Sequence, residues 1–479
     1  MTTDAKDSSQ HLYTDEVLVV EPHGIEHIGD KERHGKPYLQ GTIWFAAQIN
    51  FVTVLIGSLA VVFGLGFWAA AITCVTANIA GALLNSAAVA MGPKLGMPQM
   101  PMSRAAFGYR GNYLPAFLAS TLFVGYFATT NIVGAETVQQ IWHGANYTVF
   151  AIILGIIAIA ATVYGYNLVH SVERYMSVIL AIVFVILTIT AFAHGIGPSH
   201  VTTVHGKGFW EAVALEFMVI FSFTASWAPY ASDFSRYLPA STPSRKPFGW
   251  SFVGMLLGTT WMNLVGVYLG TLANSGGILP SIRTISGGFA DVAYVAIILG
   301  GLMVCVINAY SGALSGITWD IPLKRVPAVV LIGVVGIVLS VAFGGAKFQS
   351  SLEDFLFLVA YFVTPWLAIV IIDFWVLNRG GAGYPGFAEF YKRDGVFGAV
   401  RWEGLLSFLI GVAVSVPFMA TVLYQGPIGK ALGGADVSYG VSGIVAGVLY
   451  YFWGGRRVRA EGLAAAVSDR ADRGVTAGQ

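Results

Sequence analysis

Phe221-Ser-Phe-Thr-Ala-Ser-Trp-Ala-Pro-Tyr-Ala-Ser-Asp233 is too apolar for a soluble loop and too rich in hydroxyls, with a proline, for an unbroken helix. A helix in hydrocarbon satisfies its own backbone, and a stretch that cannot must pack on other helices or line a cavity. Five apolar runs earlier, Trp44-Phe-Ala-Ala-Gln-Ile-Asn50, followed by Thr53, Gly57 and Ser58, has the same character. Either stretch alone reads as an ordinary kinked helix, with Pro229 as the kink and Gln48 and Asn50 bonded to neighbours. Two at that separation read as an inverted repeat of five plus five helices. The first helix of each half is then broken near the bilayer centre, with free amides and carbonyls turned toward a ligand and a cation.

The rest of the chain supports a membrane setting. Of its 479 residues 56% are hydrophobic and 11% charged, against about 25% charged in an average soluble domain. The apolar residues gather between 41 and 454, so one polytopic domain replaces the several soluble ones that length alone allows. A crossing needs about twenty residues. By that measure the runs divide into twelve spans, at 41–67, 68–92, 112–142, 148–168, 172–195, 210–231, 247–275, 291–317, 325–345, 353–377, 403–424 and 438–454. With both termini cytoplasmic, 22 of the 26 Lys and Arg fall on the inner side, leaving Lys207, Arg283, Lys347 and Lys430 outside. That asymmetry is the positive-inside pattern of a plasma (inner) membrane protein. The polar tail 1–40 shows no short apolar core with a small-residue cleavage site, so span 1 is expected to be the insertion signal.

Other classes find little support. A net charge of +1 does not recommend nucleic acid as a partner. Cys74 and Cys305 lie in apolar runs, where a thiol behaves as a small hydrophobe. No His-Glu-x-x-His, Gly-x-Ser-x-Gly or Walker glycine loop is present, so neither an enzyme nor a bound metal or cofactor is expected.

Several side chains are candidates for a site. Span 3 contributes Phe123, Tyr126, Thr130 and Asn131, the last three able to share a face at spacings of four and five. Span 8 contributes Asn308 and Tyr310, then a small-residue run from Ser311 to Gly316 that reads as close helix packing. Aromatics with amides and hydroxyls suit a flat, uncharged, hydrogen-bonding solute. Ionisable groups at depth are costly and therefore functional candidates. Glu136 and Glu216 are the acids deepest in this segmentation and could carry a coupling proton, although Glu216 could equally be a rim residue. Asp233 and Asp373, followed by Arg236 and Arg379, look like structural or gating ion pairs.

Longer motifs then point to a family. Gly92-Pro-Lys-Leu-Gly-Met-Pro-Gln-Met-Pro-Met-Ser-Arg-Ala-Ala-Phe-Gly-Tyr-Arg-Gly111 and Ser226-Trp-Ala-Pro-Tyr-Ala-Ser-Asp-Phe-Ser-Arg-Tyr-Leu-Pro239 resemble signatures of the nucleobase:cation symporter family, in its cytosine and purine permease branch. Asn308-Ala-Tyr-Ser-Gly-Ala-Leu-Ser315 and the stretch from Pro365 through Asp373 to Arg379 are similar to further motifs of that family, and the likeness covers 37–455. It implies the five-plus-five fold with two extra helices: repeat one at 41–195, repeat two at 210–377, extra helices at 403–454 and a cytoplasmic tail at 455–479. It also implies alternating access with a nucleobase and a cotransported cation. Tyr126 stands where the family stacks an aromatic, commonly Trp, on the base; Thr130, with Asn131 adjacent, stands where it places an amide. Trp227, with Phe223 nearby, matches the span 6 aromatic and Asn308 the amide that reads the base, while Ala47, Gln48 and Asn50 fall at the span 1 break, Gln48 as a substrate-binding candidate and Ala47 and Asn50 as cation-coupling candidates. Sodium-coupled relatives carry two adjacent hydroxyl residues in span 8; here Met303 and Val304 align there, so proton coupling is expected.

The leading expectation is therefore a secondary active symporter for a purine or pyrimidine base. A passive facilitator would show a continuous polar stripe instead of polar groups clustered at two breaks. A carrier of another flat amide ring, such as hydantoin, allantoin or a thiamine-related pyrimidine, would keep the same fold.

Overall fold

The computed structural model describes residues 24–164, 166–273, 277–420 and 424–476. Within them the chain is helical, with no strand and an isolated bridge between Ala420 and Gln425. All twelve apolar runs form helices. Span 1 is Leu39–Gln48 with Phe51–Val62, span 2 Phe67–Val89, span 3 Tyr113–Ile141, span 4 Tyr147–Tyr164, span 5 Tyr166–Ala193 and span 6 Lys207–Ala225 continued by Ala231–Ser235. Span 7 is Arg245–Leu272, span 8 Ala290–Thr318, span 9 Arg325–Phe343, span 10 Phe348–Ile371, span 11 Trp402–Ser415 and span 12 Ser438–Thr476. Among the described residues, 7 helices are long and apolar enough to cross a membrane alone and the bent pair of span 1 raises this to 8, beside shorter apolar helices in spans 4, 5 and 11. Trp68, Ile72, Ile79 and Leu83 of span 2 and Val178, Ile179, Ile182 and Ile189 of span 5 are exposed. Such an apolar coat suits lipid and would associate in water.

The segmentation shifts in three places. Span 5 starts at Tyr166 rather than 172, because no Gly or Pro interrupts 166–171. Span 12 continues through the tail to Thr476, a stretch rich in the helix formers Ala and Arg. An additional helix, Ile278–Ser286, precedes span 8 and buries Ile278, Leu279, Ile282 and Ile285. Its apolar face was too short to register as a span.

Helices gather by kind rather than by chain order. Span 7 packs on both halves of span 1, and span 2 packs on spans 6 and 7. Span 3 lies along span 8, with spans 4 and 9 against both. The pairing of span 1 with 7 and of span 6 with 2, beside that of 3 with 9 and of 8 with 4, is the exchange that a five-plus-five inverted repeat produces. Spans 11 and 12 pack on each other and span 12 on span 10.

Glycines permit the closest of these approaches. A Cβ at Gly57 of span 1 would lie 2.1 Å from the Asn263 carbonyl oxygen of span 7, and one at Gly266 would lie 1.9 Å from the Val54 carbonyl oxygen. Gly312 sits in the small-residue run of span 8, where a Cβ would come within 3.0 Å of Ile332 and 3.2 Å of Phe123. Replacing Gly57 by Val is expected to destabilise the protein by about 1 to 3 kcal/mol through overpacking. The check is thermal unfolding in detergent, with Gly249→Ala as control, since a Cβ there meets nothing within 4 Å. A Gly57→Val protein as stable as the parent would contradict this packing.

Candidate substrate site at the helix interruptions

The two interruptions differ in form. In span 1, Ile49 (φ −79°, ψ 68°) and Asn50 (φ −144°, ψ 160°) leave the helix and the two halves meet at 58°. Asn50 closes the gap by accepting from the Thr53 backbone N–H at 3.2 Å and donating to the Ala47 carbonyl at 2.8 Å. In span 6 the chain tightens into a 3-10 turn, Ala228–Tyr230, and then resumes as Ala231–Ser235. Pro229 has no N–H to lose, so the turn forms without a sharp bend. Ser226 bridges to its surroundings there, donating to the Phe223 carbonyl at 2.7 Å and accepting from the Tyr126 hydroxyl at 2.9 Å.

Aromatic rings converge on this level. Trp227 meets Trp44 edge-on at 6.0 Å, Phe223 edge-on at 6.3 Å and Tyr230 tilted at 4.9 Å. Tyr126 stands edge-on to Phe223 at 5.9 Å and to Phe355 of span 10 at 5.0 Å. Phe123 lies 4.3 Å from Tyr230. The Tyr230 hydroxyl donates to Asn308 Oδ1, and Asn308 Nδ2 donates to the Val304 carbonyl at 2.8 Å. Tyr126, Phe223, Trp227 and Asn308 therefore belong to one connected group. Trp44 and Tyr230 also belong to it and were not singled out from sequence. The available signal was position: Trp44 lies one turn before Gln48, and Tyr230 directly follows the proline.

Several polar atoms of spans 1, 3 and 6 are buried and bond to no other protein atom among the described residues. They are both amide atoms of Gln48, the indole Nε1 atoms of Trp44 and Trp227, and the hydroxyls of Thr53 and Thr130. Gln48 is 0% exposed. Buried polar groups are nearly always paired, so these atoms are candidates for bonding a solute. An amide supplies two donors and an acceptor, and an indole one donor. Thr130 lies one turn beyond Tyr126, with its methyl group toward Gly301 of span 8.

Other sequence candidates lie elsewhere. Asn131 does not share the Tyr126 face: it donates to the Ala151 carbonyl at 2.9 Å and to Ser340 Oγ at 3.1 Å, tying span 3 to spans 4 and 9. Successive helical residues point about 100° apart, and this one falls on the scaffold side. Ala47 and Asn50 form the cap just described, which occupies both ends of the Asn50 amide. Glu136 is not deep. It accepts from the Gly345 backbone N–H at 3.1 Å and lines a cavity of 570 Å³ with Gln139, Gln140, Ser58 and Leu352. Glu216 is no rim residue, being 0% exposed, with Oε1 3.5 Å from the Cys74 thiol and no bonding partner at Oε2. Among the described residues no group of three His, Cys, Asp or Glu could hold a metal ion.

Asp233, Arg236 and Asp373 belong to a polar cluster at the end of the bundle that the first described residues, Gly24 and Ile25, reach. Asp233 accepts from the Gln99 backbone N–H at 3.0 Å, and Arg236 donates to the Gly24 carbonyl at 2.9 Å and to the Tyr310 hydroxyl at 3.2 Å. Asp373 takes hydroxyls from Tyr384 and Tyr450 at 2.5 Å each, and its cation is Arg457 of span 12 at 3.9 Å rather than Arg379. Nearby, His27 stacks on Phe387 at 3.6 Å and Arg401 pairs with Glu461 of span 12 at 2.9 Å. The 570 Å³ cavity lies at the other end, beside the last turns of spans 1, 3 and 7 and the start of span 10.

An all-helical bundle with an exposed apolar coat and a buried polar-aromatic group at two helix interruptions defines a multi-span membrane transporter. Residues 27–442 match the family described as permease for cytosine/purines, uracil, thiamine, allantoin, and this chain belongs to that family. It is 33% identical over 457 residues to a Bacillus subtilis protein provisionally named purine-cytosine permease YxlA, covering 91% of this chain and 96% of that one. It is 29% identical over 450 residues to the purine-cytosine permease fcyB of Emericella nidulans, covering 88% and 86%. Among solved structures, Mhp1, a nucleobase-cation-symport-1 family transporter in a closed conformation with bromovinylhydantoin bound, superposes with a TM-score of 0.74 at 18% identity over 90% of this chain and 94% of that one. These relatives are permeases and transporters, not enzymes.

The site separates binding from structural residues in a measurable way. Trp227→Ala is expected to weaken equilibrium binding of labelled cytosine by about 1 to 3 kcal/mol, the range found for bases stacked on aromatic side chains. Asn131→Ala is expected to lower thermal stability by about 1 to 3 kcal/mol, the range for leaving buried partners unpaired, and to leave affinity unchanged. The reverse assignment of the two effects would contradict the geometry.

Proposed function

We propose that this permease imports a purine or pyrimidine base, cytosine among them, in symport with a proton by alternating access. The observation that carries the reading is the fully buried Gln48 amide, without a bonding partner among the described residues, one helical turn from Trp44, whose indole meets that of Trp227 at 6.0 Å. A planar heterocycle between Trp227 and Tyr126 would bury its faces on aromatic carbon and offer its edge to Gln48, Thr130 and the remaining capacity of Asn308. Asn308 keeps one N–H and one lone pair beyond its bonds to Tyr230 and Val304. Discrimination among bases then comes from edge hydrogen bonds, because any base has a face to stack.

Glu216 is the proposed proton carrier. No Lys or Arg pairs with it among the described residues, and a buried carboxylate with only a thiol beside it lacks a counter-charge. Met303 and Val304 of span 8 supply no side-chain oxygen for an alkali cation. Alternating access is supported by the contrast between the two ends: a 570 Å³ cavity lined by Glu136 at one, and at the other the seal of Asp233, Arg236 and Asp373, which gate it. The sealed end is proposed to be cytoplasmic, the membrane to be the plasma (inner) membrane, and the repeats to be 41–195 and 210–377. The family description names uracil, thiamine and allantoin beside cytosine and purines, which keeps a related flat amide ring as a second reading.

Uptake into proteoliposomes under imposed gradients tests the coupling. An acid-outside gradient is expected to concentrate cytosine, and Glu216→Gln to reduce that response at least tenfold while cytosine still binds. Concentration driven by sodium alone, or a Glu216→Gln protein that responds to the proton gradient as the parent does, would contradict proton coupling through this residue. Allantoin or uracil outcompeting cytosine and adenine would favour the second reading.

A further inference from the structure

Spans 2 and 7 carry the same short pattern, Asn78-Ile-Ala-Gly81 and Asn263-Leu-Val-Gly266, 185 residues apart. Each glycine admits one interrupted helix to close range. A Cβ at Gly81 would lie 2.6 Å from Thr224 Cβ of span 6, and one at Gly266 would lie 1.9 Å from the Val54 carbonyl oxygen of span 1. The asparagines face each other across the crossing, both 0% exposed.

Their bonds form one directed chain. Thr224 Oγ1 donates to Asn78 Oδ1 at 2.7 Å, Asn78 Nδ2 to Asn263 Oδ1 at 2.9 Å, and Asn263 Nδ2 to the Thr53 carbonyl at 2.8 Å. The Thr53 backbone N–H then reaches Asn50 Oδ1, whose amide holds the Ala47 carbonyl. The chain starts two residues before Ser226, where span 6 leaves its helix, and ends inside the interruption of span 1. Every link is buried, where a broken bond leaves a partner unsatisfied with no water to replace it.

We infer that Asn78 and Asn263 are positioning residues that lock the interruption of span 6 to that of span 1, so that the two change access as one unit. The inference rests on reading these interruptions as the substrate site, but the link itself is independent of the solute. Among the described residues neither asparagine side chain bonds to a member of the aromatic group. Breaking the chain should therefore slow the change of access and spare affinity.

Thr224→Val removes the first donor with little change of shape, and Thr224→Ser keeps the hydroxyl. Hydrogen exchange is measured on the purified, solute-free protein. Thr224→Val is expected to raise exchange of amides in 47–54 of span 1 at least fourfold, and Thr224→Ser to match the parent. In proteoliposomes, Thr224→Val is expected to cut the turnover of cytosine uptake at least tenfold with Kd within threefold, and adding Asn78→Ala to slow it no further. The inference is overturned if the exchange increase stays within spans 2 and 6, if Val and Ser variants behave alike, or if Kd rises as much as turnover falls. A parent that binds no nucleobase would contradict the substrate reading, and the exchange result would still decide the link.

Discussion

An unpaired backbone group in hydrocarbon costs several kcal/mol, and that penalty fixes where this chain can stop being helical. Both interruptions occur where side chains can take over the freed groups. In span 1 the Asn50 amide serves one carbonyl and one N–H at once. In span 6 Ser226 serves the Phe223 carbonyl, and the proline removes one donor from the account. With the backbone thus satisfied, Gln48 and the two indoles keep polar atoms that bond to no other described residue, and these are the atoms proposed to meet a solute.

The surrounding packing keeps that arrangement. Spans 2 and 7 hold the interrupted helices through glycine contacts and the Asn78–Asn263 bond. Spans 3 and 8 supply Tyr126 and Asn308 from a second group braced by Asn131 and Ser340. Polarity at the two ends is unlike: one is tied by arginines to loop carbonyls, Arg104 to Thr318 and Phe390 and Arg401 to Ala105, and the other holds the cavity beside Glu136. At the tied end burial works to raise the Asp320 carboxyl, but hydrogen bonds from Tyr113 and Tyr109 and the charge of Arg393 outweigh it and hold its pKa below the usual range. Asp320 therefore keeps its charge, and its pairing with Arg393, further into acid than an ordinary carboxylate would.

The spans and both interruptions were legible from sequence because each is a local property: run length, charge at the ends, and proline or amides where leucine would otherwise stand. Contacts between distant segments were not. Asp373 looked paired with the nearby Arg379, whereas Arg457 of span 12 reaches it in space. Asn131 looked equivalent to Thr130 by adjacency, but one residue of helix turns it onto another neighbour. Glu216 and Cys74 lie 142 residues apart and meet only because span 2 packs on span 6. Asn50 was read as facing a cation, and its capping role needed the 58° bend to be seen.

The central claim is that a flat ring fills the polar vacancies between the interrupted helices. The most direct measurement is an experimental structure with cytosine bound. The account predicts ring density between Trp227 and Tyr126, with base nitrogen or oxygen atoms within about 3.2 Å of the Gln48 amide. Density confined to the cavity beside Glu136, with Gln48 still unpartnered, would contradict it.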